Sequence, residues 1–210
     1  MKSSISNYKL EIFVIVEPHI SGIKVDEVIK SISFQYSHRV EAIGFSSGIW
    51  VFWSNKVNVK VIVNYIQFVH MKVCFLSKAR SFFFSSIYGS PQAHFRKLLW
   101  SDLTGVAPTN TQLWLLVGDF NAIIHSDKRK GGPGRSNMGC HLFGPFANQY
   151  GLLDLGFNRP KYAWRRGTLL VRLDRALSNS AWLHSLYSYG VDHLPKILSD
   201  HRPLLIHLCP

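Results

Sequence analysis

LWLLVGDFNAIIHSD, residues 113–127, runs from an apolar stretch straight into Gly118, Asp119, Phe120 and Asn121. The apolar half reads as a buried strand. Burying an ionised carboxylate is costly unless it is paired, hydrogen-bonded or bound to a metal. A strand ending in this way is therefore either turning into solvent or building a site. The turn reading needs nothing further, because Gly takes positive φ and Asp and Asn bond their own backbone. These four residues leave both readings open, and the rest of the chain has to decide between them.

The chain has 210 residues, 47% of them hydrophobic and 17% charged. That composition supports a substantial core and excludes a disordered chain. Twenty-four Lys and Arg face twelve Asp and Glu, a formal net charge of +12. Such an excess favours a polyanionic partner, most simply nucleic acid. Acids are scarce, so each is informative: beyond Asp102 only Asp119, Asp127, Asp154, Asp174, Asp192 and Asp200 remain. Cys74, Cys140 and Cys209 are odd in number and far apart, which indicates neither a zinc site nor a disulfide framework and suits a reducing compartment. No apolar stretch reaches the length of a membrane span, and KLEIFVIVEPHI lacks a signal peptide's cleavage site. An intracellular protein with no membrane partner is expected.

Outward from GDFN, short β-branched and aromatic runs recur: EIFVIVE, GIWVFW, VNVKVIVNYI, MKVCFLS, SFFFSSIYG, LVRLDRAL and PLLIHL. Helical spacing marks KVDEVIKSI, SPQAHFRKLLWSDL and, weakened by its glycines, NMGCHLFGPFANQYGLLDL. Many strands with few helices suggest an α/β sandwich of sheets packed together with helices outside. No repeat or long linker divides residues 1–210, so one domain is expected. The loop SDKRKGGPGRSN places Lys128, Arg129, Lys130 and Arg135 among glycines directly after GDFN. A flexible basic loop there suits a phosphate backbone, although a short charge run is more commonly a solvated surface.

Two further constellations bear on the question. KILSDHRPLLIHL sets Asp200 and His201 before a strand, and VRLDRALSN sets Asp174 between Arg172 and Arg175. Singly, an Asp between arginines reads as an ion pair, and an Asp-His pair reads as structural. Together with GDFN they supply the parts that phosphodiester hydrolysis needs: charge stabilisation, a proton path and positioning. Glu17, at the end of EIFVIVE, is a fitting hard-oxygen ligand for Mg²⁺.

In order, IFVIVEPHISG, GFSSGIWVFW, SSIYGSPQAHFRKLLWSDL, WLLVGDFNAIIHSDKRKGG, FANQYGLLDLGFNRPKYAWRRG, RLDRALSNSAW and VDHLPKILSDHRPLLI cover nearly the whole chain. They resemble the endonuclease/exonuclease/phosphatase superfamily, and more closely the endonuclease region of plant LINE-type (non-LTR) retrotransposon polyproteins. GDFN followed by RLDRAL and then SDHRP is a specific combination.

The resemblance implies a DNase I-like, four-layer α/β sandwich of two packed mixed sheets flanked by helices. It implies DNA nicking dependent on Mg²⁺ or Mn²⁺, leaving a 3′ hydroxyl that primes reverse transcription, and a nuclear location. By motif match, Asp119 and Asn121 handle the water or leaving group and orient the phosphate. Asp174 stands behind His201, Tyr88 lies near the scissile phosphate, and Glu17 and Asp200 are the implied metal ligands. Trp164, in YAWRRG, matches an aromatic at the substrate edge, with a core tryptophan an equal reading.

The chain departs from the pattern in three places. No W-N-x-R-G strand precedes Glu17, FSSG stands where two glycines are usual, and no reverse-transcriptase segment follows Pro210. A domain lacking its first strand, with weakened activity, is therefore expected. The competing expectations are a non-catalytic remnant that binds nucleic acid and a phosphatase or phosphodiesterase acting on a small phosphate ester.

Overall fold

The computed structural model describes residues 8–18, 20, 23–41, 48–77, 80–122, 129–130, 141–158, 164–166, 169–185, 188–196 and 199–209. The chain divides into two compact units, Met1–Tyr88 and Gly89–Pro210.

In the first unit, β1 (Ile12–Val16) and β2 (Tyr36–Val40) flank β3 (Ile49–Trp53) in a three-stranded antiparallel sheet. The central position explains the unbroken apolar sequence IWVFW, since a strand paired on both sides and covered on its faces has no solvent-facing position to make polar. Helix α1 (Ile23–Ser31) sits over this sheet. Its Val25, Val28 and Ile29 join Ile32, Trp50, Phe52, Phe13, Ile15 and Phe34 in one apolar cluster.

Strands β4 (Val57–Tyr65), β5 (Phe68–Phe75) and β6 (Arg80–Tyr88) form an antiparallel meander. VNVKVIVNY alternates as a half-buried strand should, exposing Asn58, Lys60, Ile62 and Asn64. The register slips between Val61 and Val63, so Ile62 has no partner on β5 and stands 47% exposed. β5 begins three residues before the MKVCFLS run. Tyr65 pairs with Phe68 across Ile66 and Gln67, a two-residue turn without the Gly or Asn that usually announces one.

In the second unit, α2 (Ala93–Val106) buries Arg96, Leu99, Trp100 and Leu103, one face at i, i+3, i+4 and i+7. Trp100 stacks on Phe143 at 4.6 Å, and Phe143 stacks on Phe120 at 5.2 Å. Phe146 and Trp114 complete that aromatic core. The anticipated helix across residues 137–155 is only α3 (Phe143–Gln149) among the described residues. Leu153–Asp154 is instead β9 and pairs with β12 (Asp174–Ser178), which pairs in turn with β7 (Trp114–Asp119).

LVRLDRAL, expected as one strand, is two: β11 (Leu169–Val171) ends before Arg172, and β12 begins at Asp174. β11 pairs with β8 (Arg129–Lys130) and β10 (Trp164–Arg166), so part of the basic loop has strand backbone. Helix α4 (Ser180–Ser185) follows β12. β13 (Ser188–His193) and β14 (Leu204–Cys209) make an antiparallel hairpin. SYGVDH carries too few apolar residues for its strand to show in the sequence. No helix among the described residues is long and apolar enough to cross a membrane.

Candidate active site

β7 delivers Asp119 to its C-terminal end, and β12 delivers Asp174 to its N-terminal end. The antiparallel register sets the two directly opposite each other. Both are buried, with 3% and 7% of their surface exposed. Facing like charges on neighbouring strands repel, and burial amplifies the repulsion. Such a pair requires a cation, and His201 supplies one. Its Nδ1 lies 2.9 Å from Asp174 Oδ2, and its Nε2 lies 4.0 Å from Asp119 Oδ2 and 3.9 Å from Asp200 Oδ1. Burial disfavours the imidazolium. The hydrogen bond and charge of Asp174, with the charges of Asp119 and Asp200, outweigh burial and push the His201 pKa up to about 9. At neutral pH the ring is therefore charged, and both of its nitrogens are donors.

Asn121 braces Asp119. Its backbone N–H donates to Asp119 Oδ1 at 2.8 Å, and its amide donates to Asp119 Oδ2 at 2.9 Å and to the Gly89 carbonyl at 3.0 Å. Asn121 makes these bonds from a left-handed backbone, φ 46°, which Asn tolerates better than most residues. Gly118 precedes the pair at φ 143°, a conformation that disfavours a side chain. The GDFN turn of the sequence is thus real, and it is also the device that aims the carboxylate. Neither of the two opening readings excludes the other.

Gly89, which the sequence did not single out, closes the same turn. Its N–H donates to the Asp119 carbonyl at 2.7 Å. A Cβ at this position would stand 2.5 Å from the Phe120 carbonyl oxygen, so no larger residue fits without moving the backbone beside Asp119. Only the immediate sequence SSIYGS carries a hint, a Gly just past a strand. The arginines around Asp174 also depart from expectation. Both reach Asp154 instead, Arg172 Nη2 at 2.5 Å and Arg175 Nη1 at 2.9 Å, which leaves Asp174 to His201.

In the first unit, Glu17 directly follows β1, and its backbone takes φ 55°. Its N–H donates to the Gly48 carbonyl at 3.2 Å, and Tyr88, at the end of β6, donates its hydroxyl to Glu17 Oε1 at 2.8 Å. The structure therefore brings together Asp119, Asn121, Asp174, Asp200 and His201 in one unit and Glu17 and Tyr88 in the other. Lys128 and Arg135 lie outside the described residues. Arg129, Lys130 and Trp164 are described only as strand backbone.

Asp119, Asp174 and His201 present ligand atoms within 4.8 Å of one another. The two carboxylate oxygens are the hard donors that a divalent cation such as Mg²⁺ or Mn²⁺ takes, whereas His201 could join them only after losing its proton.

Among solved structures, the chain is similar to the endonuclease domain of TRAS1, a telomere-specific non-LTR retrotransposon. The TM-score is 0.68 at 16% identity, over 98% of this chain and 89% of that one. It is similar to the AP endonuclease LMAP from Leishmania major, with a TM-score of 0.72 at 13% identity, over 100% and 81%. The AP endonuclease from Archaeoglobus fulgidus gives 0.62 at 12%, over 99% and 92%. These likenesses establish the α/β sandwich fold of the DNase I-like enzymes. No curated protein matches the sequence. The model of the endonuclease/exonuclease/phosphatase family matches residues 7–201, nearly the full length, and the chain belongs to that family.

Proposed function

We propose that this chain is a divalent-metal-dependent phosphodiester hydrolase that nicks DNA as retrotransposon endonucleases do. The observation that carries the reading is the buried Asp119–Asp174 pair with His201 held against it. A buried pair of like carboxylates is costly to a fold, and its use is to handle protons and charge at a reacting phosphate. The net charge of +12 supports a polyanionic substrate over a small phosphate ester.

In this mechanism Asp119 takes the proton of the attacking water as the new P–O bond forms. Asn121 keeps Asp119 in place. The imidazolium of His201, fixed through Nδ1 by Asp174, turns Nε2–H toward the phosphate oxygens, where negative charge grows as the bond to the 3′ oxygen breaks. The departing oxygen is protonated from solvent, leaving a 3′ hydroxyl and a 5′ phosphate. Asp200 is a residue that would offer Mg²⁺ or Mn²⁺ a carboxylate, and Glu17, held by the Tyr88 hydroxyl, is the ligand that the resemblance implies in the other unit. The metal would supply Lewis-acid stabilisation of the phosphate. Lys128, Arg129, Lys130 and Arg135 would bind the DNA backbone, and Trp164 would contact its edge.

The deciding experiment incubates supercoiled plasmid with the chain in Mg²⁺ and in EDTA, then offers the nicked product to a DNA polymerase. Open circles that form only with Mg²⁺ and are extended by the polymerase are expected. Cleavage of a nitrophenyl phosphate ester in place of plasmid would favour the small-ester reading. Plasmid binding without nicking would favour a non-catalytic nucleic-acid binder.

A further inference from the structure

Asp174 holds His201, and its own position is set from behind. β12 begins at Asp174, so the residue lies at the end of its ladder, just after the Leu173 carbonyl that accepts the Phe120 N–H at 3.1 Å. Arg172 and Arg175 bracket it in sequence, and both are buried, with 5% and 1% of their surface exposed. Two buried guanidiniums need a counter-charge, and Asp154 provides it for both. Its Oδ1 accepts from Arg172 Nη2 at 2.5 Å and from the Gly156 N–H at 3.0 Å, and its Oδ2 accepts from Arg175 Nη1 at 2.9 Å. Arg175 Nη2 donates to the Arg172 carbonyl at 2.9 Å and closes a loop around the start of β12.

Two ring contacts pack against this loop. The Arg172 guanidinium lies over the Phe157 ring at 4.4 Å, and Phe157 stacks on His193 at 5.0 Å. Asp154 also pairs by backbone with Leu177 of β12. Side chains alternate along a strand, so Arg175 and Asp174 leave β12 on opposite faces. One face goes to Asp154 and the other to His201.

We propose that Asp154 is a positioning residue for phosphodiester hydrolysis. By tying Arg172 and Arg175 together it fixes the backbone from which Asp174 reaches His201, and it touches no substrate itself. This rests on the hydrolase reading above, but the hydrogen bond it governs is measurable without turnover. Removing the Asp154 carboxylate takes away the counter-charge that the two buried guanidiniums share and loosens the start of β12. The distance from Asp174 to His201 then ceases to be fixed. A misplacement of about 1 Å can cost on the order of 100-fold in rate.

The test compares the full-length parent, Asp154→Ala, Asp174→Ala and the double variant. For each it records plasmid nicking and the downfield NMR signal of the His201 Nδ1 proton, in chains shown to be folded by circular dichroism. Asp154→Ala should lower kcat by about 30- to 100-fold with KM nearly unchanged, and it should broaden or abolish the downfield signal. In the Asp174→Ala background the same change should cost less than about threefold, because the residue through which it acts is already gone. A sharp signal and parental kcat in folded Asp154→Ala would overturn the inference, and so would full additivity in the double variant. If Asp154→Ala does not fold, Asp154→Asn keeps the shape and one acceptor oxygen, and it carries the same readouts. A parent that shows the signal, loses it on removal of Asp154 and yet nicks no DNA defeats the hydrolase reading and leaves the positioning role standing.

Discussion

β1 and β7 each run through apolar residues and end in acid, yet their ends are built differently. Beyond β1, Glu17 leaves the strand at φ 55° with a half-buried carboxylate that takes the Tyr88 hydroxyl. At the end of β7, Asp119 is almost fully buried, and the Asn121 backbone and amide bind one of its oxygens each. The left-handed residue there is Asn121, displaced two positions from the strand end. An isolated left-handed non-glycine residue costs on the order of 1–3 kcal/mol, so both ends store strain. The first places it in the residue that carries the carboxylate itself. The second places it in a brace that keeps a carboxylate still. A carboxylate that accepts from a hydroxyl keeps the hard oxygens that suit a metal ligand. A still one suits a proton acceptor that must not reorganise during the reaction.

The sharpest way to break this comparison is to remove each carboxylate. Asp119→Ala should lower the nicking rate by about 10³-fold at saturating Mg²⁺, as expected for a group acting on the transferred proton. His201→Ala should fall in the same range. Glu17→Ala should instead raise the Mg²⁺ concentration for half-maximal rate by roughly tenfold and recover much of the rate when the metal is abundant, as loss of one ligand of several would. Nicking measured across a Mg²⁺ series checks all three. Equal, metal-independent losses at the two strand ends would erase the distinction.

The next effect tests the brace. Gly89→Ala places a methyl 2.5 Å from the Phe120 carbonyl oxygen, a backbone atom that cannot swing aside. Overpacking of this kind costs about 1–3 kcal/mol, read as a lower urea midpoint. The shift it forces at Asp119 should cost a further 10- to 100-fold in rate. Parental nicking by Gly89→Ala would show that the turn has slack the structure does not suggest.

How much of this was legible follows the range of the forces involved. The strands whose apolar residues face a core, such as IWVFW and LWLLVGD, declared themselves because burial writes directly into composition. β13 did not, because SYGVDH is held by its backbone pairing with β14 and carries little apolar signal. The break in LVRLDRAL was hidden for a related reason. Nothing local tells Arg172 and Arg175 to turn away from Asp174, and their partner Asp154 lies 18 and 21 residues earlier. The site residues were named by motif order. Their reason for cohering, two carboxylates opposed across a ladder, is a register fact that no single stretch contains. Gly89 showed only as a glycine past a strand, because its constraint comes from a backbone atom 31 positions further along.

The smallest prediction sets a buried histidine of one unit against a half-buried histidine of the other. His70, on β5, is packed on the Phe83 ring at 5.3 Å with its Nδ1 2.8 Å from Ser85 Oγ, and burial lowers its pKa to about 4. His201 is raised to about 9, where its carboxylates outweigh burial. Their linkage to stability has opposite sign. A histidine raised in the folded state contributes fully below its unfolded pKa near 6.5 and loses that contribution as pH climbs through 9. A histidine depressed in the folded state costs nothing above about 6.5 and destabilises increasingly as pH falls toward 4, because the unfolded chain takes up the proton first. The metal-free protein should therefore be most stable near pH 6.5, with each histidine worth up to about 3 kcal/mol at the far end of its arm. Urea unfolding in EDTA from pH 4.5 to 9.5 measures the curve. His201→Gln should flatten the alkaline arm and leave the acid one, and His70→Gln should flatten part of the acid arm, where carboxylates also titrate. An alkaline slope that persists in His201→Gln would place the raised proton elsewhere. It would also remove the charge that reconciles Asp119 with Asp174.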